Sequence, residues 1–145
     1  MQYSSRFYIS WLASAILMYV SFVVWHGFFL NDLSYITFSK PLFYSLAGFV
    51  YLVISYVLYR IYEAKIFDRY FYSAVLRGVT AGFIIGVILF AIIAVLGISF
   101  TKHVNTTYLL ADCLWQIAEQ TLGGVVIGFG KLFLFEVRSD ADYGD

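Results

Sequence analysis

Four long apolar segments dominate the chain, and they restrict its possible folds more than any other sequence feature. They cover about residues 7–30, 42–61, 72–100 and 107–135. A transmembrane helix needs about 20 mainly apolar residues, so each segment is long enough to cross a lipid bilayer. The fourth segment carries several polar residues in its first half and is the least apolar of the set. We therefore predict an all-α, polytopic membrane protein with four transmembrane helices.

The composition excludes several classes of protein. Apolar residues make up 62% of the chain and charged residues only 12%, whereas an average soluble domain is about half apolar and about one-quarter charged. The nine basic residues balance the nine acidic ones, so the chain has no formal net charge. These values argue against a soluble globular domain, a disordered chain and a nucleic-acid-binding protein. The predicted surroundings are instead the lipid bilayer.

The connections between the four segments are short, so consecutive helices should run antiparallel. Residues 31–41, 63–69 and 101–106 join them, and none of these stretches is long enough for a folded soluble domain. We predict an up-down-up-down four-helix bundle that forms a single domain over residues 1–138. Residues 139–145 are predicted to be a short, polar, acidic tail.

Lysine and arginine are distributed unevenly between the two ends of this predicted bundle. The end with both termini and the middle connection contains seven of them: Arg6, Arg60, Lys65, Arg69, Arg77, Lys131 and Arg138. The opposite end has only Lys40 and Lys102. Because cytoplasmic loops carry the excess of basic residues, the N- and C-termini are predicted to be cytoplasmic. The predicted location is the bacterial inner (plasma) membrane.

Glycines recur at helical spacing on the last two segments. The third segment has Gly78, Gly82 and Gly86, and the fourth has Gly124 and Gly128, each four residues apart. Rows of small residues allow two membrane helices to approach closely, so we predict that these glycines lie at helix contacts. The sequence leaves open whether the two rows face each other within one chain or whether one row faces a second copy.

The second segment concentrates tyrosines and small residues on one helical face. This face consists of Tyr44, Gly48, Tyr51, Ser55, Tyr59 and Tyr62. We interpret it as the side that packs into the bundle, where each tyrosine hydroxyl needs a hydrogen-bond partner. The alternative interpretation is a polar track or the wall of a ligand site.

The fourth segment places three polar residues on one helical face, and this is the most informative feature of the sequence. Asp112, Gln116 and Glu119 are separated by four and three residues, and we call them the polar stripe. Polar side chains inside a membrane are costly and usually face the protein interior in pairs. From their depths along the helices, we expect His26 to lie near Asp112, and Arg77 to form a buried ion pair with Glu119.

Three roles for the polar stripe remain open at the level of sequence. The stripe could belong to a structural network that fixes the helix register. It could also provide a path for protons or cations, or a site for a lipid headgroup or for a cationic group of a partner. Spacing alone does not choose among these roles.

Residues suited to catalysis or metal binding are scarce. Cys113 is the single cysteine, so an internal disulfide and the paired-cysteine chemistry of membrane thiol oxidoreductases are excluded. The two histidines, His26 and His103, and one cysteine are too few for a structural zinc site unless carboxylates contribute. We therefore predict no enzyme activity, no metal and no bound cofactor.

These observations favour a role in protein interaction. We predict a small accessory or assembly subunit of a larger membrane complex, held by helix–helix contacts with other membrane subunits. The alternative is a small homo-oligomeric transporter or channel that uses the polar stripe of the fourth segment.

Overall fold

The computed structural model describes residues 5–35, 37, 39–100 and 106–139. The elements are α1 (Ser5–Val24), a π-helical turn (Trp25–Phe29), a 3-10 turn (Asp32–Tyr35), α2 (Lys40–Tyr62), α3 (Lys65–Tyr70), α4 (Ala74–Phe100) and α5 (Thr106–Ser139). No strand occurs in the described ranges. The prediction of an all-α protein is therefore confirmed.

Three helical segments in the described part of the chain are long and apolar enough to cross a membrane. They span Ser5–Phe29, Lys40–Tyr62 and Ala74–Leu96. Large apolar side chains cover the outside of these helices, as at Ile16 and Phe49. A soluble protein rarely exposes so large an apolar surface, so these observations identify a helical, membrane-embedded protein.

The fourth long helix, α5, has 34 residues but is not among these three apolar segments. Its polar residues, including Gln116, Glu119 and Gln120, lower the mean hydropathy of the helix. A fourth membrane span and the direction of the helices across the membrane therefore stay predictions. Residues 101–105 and 140–145, which include most of the third connection and of the acidic tail, lie outside the described residues.

The connections differ from the sequence-based expectation in two places. The second connection, expected to be a charged turn over residues 63–69, contains the short helix α3. The first apolar segment ends in a π-helical turn, in which the Leu30 N–H donates to the Trp25 carbonyl at 2.9 Å. Asn31 follows with a left-handed backbone at a φ of 57°, a conformation that asparagine tolerates better than most residues.

The closest contact between helices joins α4 and α5 through their glycines. A Cβ atom added to Gly82 would lie 2.7 Å from the Cα atom of Thr121. A Cβ atom added to either Gly78 or Gly124 would collide with the carbonyl oxygen of the other glycine. No side chain fits in such spaces, so the two glycine rows face each other within one chain.

The α4–α5 and α1–α5 pairs run antiparallel. Along α4 and α5, Gly86 lies against Ile117, and Ala74 lies against Gly128. Along α1 and α5, Trp25 stacks on Trp115, with ring centroids 4.4 Å apart, and Ser14 lies against Gly123 about three turns away. The end of α5 that meets the start of α4 therefore also meets the start of α1.

Hydrogen bonds from side chains to the backbone hold α1 against both α5 and α2. The Ser14 hydroxyl donates to the Gly123 carbonyl of α5 at 3.0 Å. The Trp11 indole N–H donates to the Leu52 carbonyl of α2 at 2.9 Å, and the Ser55 hydroxyl donates to the Trp11 carbonyl at 2.8 Å. In a membrane such bonds join helices because no water competes for the carbonyl groups.

The buried side chains are concentrated in one half of the bundle. This packed half contains the first residues of α1 and α4 and the last residues of α2 and α5. It extends to the level of Met18, Tyr51, Gly86 and Glu119. We call the remainder of the bundle the open half, and Leu33 is its only buried residue in the described part of the chain. The chain therefore packs tightly over about half of its helix length.

The tyrosine-rich face of α2 points into the bundle where the bundle is tightly packed. The buried members of this face are Tyr51, Ser55, Tyr59 and Tyr62. Tyr59 meets Phe7 of α1 edge to face, with ring centroids 4.8 Å apart. Tyr44 and Gly48 belong to the open half and are only half-buried. The face thus packs as expected from the sequence, most closely in the packed half.

Replacing Gly82 by alanine is expected to lower the free energy of unfolding by about 1–3 kcal/mol, because the added Cβ meets backbone atoms of α5. The matched control is Gly48→Ala on α2, where the nearest atom to an added Cβ is 4.0 Å away. This control should change stability by less than about 1 kcal/mol, in either direction. Denaturant unfolding in detergent measures both, and equal effects would contradict the close α4–α5 contact.

Candidate functional site

A buried carboxyl group lies at the boundary between the packed half and the open half. Glu119 on α5 is 1% exposed, and the neighbouring Gln120 is 0% exposed. The Gln120 side-chain nitrogen donates to Glu119 Oε1 at 3.1 Å. The other polar groups that act on this carboxyl group are the Tyr51 hydroxyl of α2 and the Trp115 indole of α5. We call these four residues the Glu119 cluster.

Contacts of α5 with two neighbouring helices orient the Glu119 cluster. The backbone carbonyl of Gln120 lies against Gly82 of α4. Gly123, about one turn further along, accepts the hydrogen bond from Ser14 of α1. Since both contacts lie close to Glu119 in the helix, α5 cannot rotate about its axis without losing one of them.

None of the described residues that act on the Glu119 carboxyl group carries a positive charge. They present a phenol, an indole and an amide, all of which are neutral. A charged side chain near the centre of a membrane helix costs about 2.5–3.5 kcal/mol on insertion scales. A hydrogen bond between membrane helices returns about 0.6 kcal/mol on average, so three neutral donors at this average would offset roughly 2 kcal/mol. An ionised Glu119 is therefore incompletely compensated by its neighbours.

Two polar atoms of the Glu119 cluster lack a hydrogen bond within the described residues. Gln120 Oε1 is buried and accepts no hydrogen bond. The Trp115 N–H borders the carboxyl group but does not reach hydrogen-bond geometry. Buried polar atoms in folded proteins are nearly always paired. The cluster therefore combines a buried carboxyl group with two buried polar atoms that have no hydrogen bond among the described residues.

Arg77 and Glu119 have different partners, and the predicted ion pair is not among their contacts. The Arg77 guanidinium donates to the backbone carbonyls of Tyr62 and Ala64, at the end of α2, and lies over the Tyr62 ring. Gly78, the residue after Arg77, packs against Gly124 of α5. Five residues separate that level from Glu119, which corresponds to about 7 Å along the helix. Arg77 therefore caps the last turn of α2 instead.

The other residues of the predicted polar network lie in the open half. Asp112 and Gln116 are half-buried. His26 lies in the π-helical turn, with its ring 4.8 Å from that of Phe22. The stacking of Trp25 on Trp115 brings α1 and α5 into contact at this level. The His26–Asp112 contact itself stays a prediction.

An apolar groove adjoins the Trp25–Trp115 stack in the open half. It has a volume of about 360 Å³ and is lined by the two tryptophans with Ala111, Leu114 and Ala118. The Trp25 N–H is buried and has no hydrogen bond to the described residues. The groove offers apolar surface and little polar chemistry, which suits a hydrocarbon chain or an apolar side chain better than a polar substrate.

Several residues that matter in the structure escaped the sequence analysis. Gln120 and Tyr51 were not recognised as neighbours of Glu119, because the sequence gives no register between α2 and α5. Ser10 and Ser14 of α1 pack against Gly130 and Gly123 of α5. Their spacing of four was an available signal, since small residues at this spacing are typical of membrane helix contacts.

No protein-family model, curated protein or solved structure matches this chain. Neither a function nor site residues can therefore be assigned to this protein from a relative. The function has to be inferred from the geometry of the Glu119 cluster and of the open half.

Tyr51→Phe and Glu119→Gln are expected to show an interaction energy of about 1 kcal/mol in a double-mutant cycle, because the Tyr51 hydroxyl acts on the carboxyl group. Unfolding free energies of the two single variants and the double variant measure it. The control cycle pairs Arg77→Ala with Glu119→Gln and should be additive within about 0.5 kcal/mol. Additive effects in the Tyr51 cycle would contradict the contact.

Proposed function

We propose that the chain is a small integral membrane protein that acts as an accessory or assembly subunit of a larger membrane complex. Its binding surface is the open half, where a helix of another membrane subunit packs against α4 and α5. The role requires no catalytic group, metal or cofactor. Its chemistry is the burial of apolar surface and the close fit of helices within the bilayer.

The observation that carries this proposal is the uneven packing of the bundle. The interior of the packed half is filled by the chain's own side chains, whereas Leu33 is the one buried residue of the open half among those described. The open half also exposes large apolar side chains of α4, as the packed half does at Leu76 and Phe83. The exposed members on α4 are Val87, Ile88, Ile92, Ile93, Val95 and Leu96. A helix of a partner subunit would cover this surface and fill the groove beside Trp25 and Trp115. The glycine rows are occupied by the α4–α5 contact, so they are not part of the proposed binding surface.

A four-span arrangement with cytoplasmic termini is part of the proposal. It is supported by the antiparallel packing of α5 along α4, from Gly86 and Ile117 to Ala74 and Gly128. Because α4 is apolar enough to span the bilayer, a helix packed along it at this length lies at the same depth. In this arrangement the packed half faces the cytoplasm.

A second candidate function is transport by a homo-oligomer, and the burial of Glu119 favours it. An ionisable residue inside a membrane helix is a candidate for an ion or proton site. Since Glu119 is enclosed within one chain, transport would pass through each subunit along Asp112, Gln116 and Glu119 rather than between subunits.

The proposed topology predicts opposite labelling of two connections. In a Cys113→Ser background, Thr37→Cys should react with a membrane-impermeant maleimide added outside intact cells. Tyr72→Cys should react only after the membrane is permeabilised, because its connection carries the basic residues typical of the cytoplasmic side. Both positions are exposed, so their accessibility to reagent is comparable apart from the membrane. The reverse labelling pattern would contradict cytoplasmic termini.

The proposed binding surface predicts where photo-crosslinks form in the native membrane. A photoreactive amino acid at Ile92 of the open half should yield crosslinks to a different polypeptide. The control is Ile9 of the packed half, which is 55% exposed compared with 51% for Ile92 and should contact mainly lipid. Crosslinks from both positions, or from neither, would contradict the proposed surface. Crosslinks only to second copies of the chain would contradict the accessory role and favour the homo-oligomeric transporter.

A further inference from the structure

We propose that the Glu119 cluster binds one monovalent alkali cation, held by oxygen atoms of Glu119, Gln120 and Tyr51. The site lies inside a single chain, at the junction of α2 and α5. It is therefore independent of the accessory role, and either proposal can fail without the other.

The oxygen atoms of the cluster have unused capacity to bind a cation. Gln120 Oε1 is fully buried and accepts no hydrogen bond among the described residues. It belongs to the same side chain whose nitrogen donates to Glu119 Oε1, so both oxygen-bearing groups lie close together. The Tyr51 hydroxyl, which also acts on the carboxyl group, can accept as well as donate. Carbonyl and carboxylate oxygens of this kind replace the hydration shell of an alkali cation.

The charge of the cluster selects a monovalent ion. A single carboxylate among neutral groups supplies one negative charge, which one positive charge balances. Calcium sites usually draw six to eight oxygen ligands, often from several carboxylates, and magnesium demands near-ideal octahedral geometry. The described residues include no group of three or more His, Cys, Asp or Glu side chains that could hold such an ion.

Among the described side chains, those of Arg77 on α4 and Lys131 on α5 have partners outside the cluster. Arg77 of α4 binds the carbonyl groups at the end of α2. Lys131 of α5 forms an ion pair with Glu63, with a distance of 2.7 Å between Nζ and Oε1, and it lies over the Tyr59 ring. Neither side chain is among the groups that act on Glu119. A bound cation would supply the positive charge that these residues do not.

A cation would reach the cluster from the open half. Gln116 and Asp112 precede Glu119 on the same helical face and are half-buried, so exposure to the surroundings increases in that direction. Toward the packed half, the bundle is closed by the fully buried side chains of Met18, Leu58 and Ile127. The structure therefore assigns the ion a site with access from one side.

The test compares the thermal stability of the full-length chain in lipid nanodiscs in sodium chloride, potassium chloride and choline chloride at equal ionic strength. We expect Tm to be about 5 °C higher in at least one alkali chloride than in choline chloride, which corresponds to a cation at roughly tenfold its Kd. Equilibrium binding of radioactive sodium, competed by potassium, should reach one ion per chain.

Three variants tie the effect to the cluster. Glu119→Gln removes the charge at nearly constant volume and should abolish the Tm difference between salts. Gln120→Met keeps the carboxylate and removes one oxygen ligand. It should raise the cation concentration needed for half of the Tm effect by at least about tenfold. If Glu119→Gln does not fold, Gln120→Met alone tests the site. Glu63→Gln, which removes a carboxyl group outside both the cluster and the access path, should leave the salt effect unchanged.

Two results would overturn the proposal. The first is a wild-type Tm that is the same in all three salts. If that Tm changes only with pH, the group bound at Glu119 is a proton and not an alkali cation. The second is a salt effect that survives in a folded Glu119→Gln or Gln120→Met variant, because the ion would then bind elsewhere.

Discussion

The rest of the bundle depends on the direct approach of the α4 and α5 backbones at their glycines. Inside a bilayer, lipid tails are as apolar as leucine, so helices associate through close packing rather than through the hydrophobic effect. A glycine opposite a glycine, as at Gly78 and Gly124, brings the backbones nearer than any other residue pair. This contact fixes the rotation of α5, and the faces that α5 offers to α1 and α2 follow from it.

The fixed rotation of α5 explains how a chain this apolar encloses polar side chains. With one face against α4, α5 turns Gly123 toward Ser14 of α1 and Glu119 toward Tyr51 of α2. Among the described residues, every buried side chain except Leu33 lies at this level or in the packed half. The Glu119 cluster therefore lies where the open half begins. A partner helix would cover the apolar surface of the open half, and a cation would bind the oxygen atoms of the cluster.

Patterns within a single helix could be predicted from the sequence, whereas contacts between helices mostly could not. The glycine rows and the buried face of α2 follow from spacings of three and four residues. The structure gives Arg77 partners other than the predicted Glu119, since depth counted from helix ends gives neither the register nor the facing direction of two helices. Tyr51 was recognised as part of a buried face, but its neighbour Glu119 became evident only from the packing of α2 on α5. The cap that Arg77 forms also depends on the α3 connection, which the sequence did not reveal.

The most direct test of this account is whether the α4–α5 contact forms within one chain. Spin labels at Phe83 and Leu132, both exposed, report the distance between the two helices by pulsed electron spin resonance in nanodiscs. A Cys113→Ser background removes the native thiol. We expect a single narrow distance distribution that does not change when the labelled protein is diluted with unlabelled protein before reconstitution. A distance that disappears on dilution would mean that the labels report contacts between chains, and it would contradict the account.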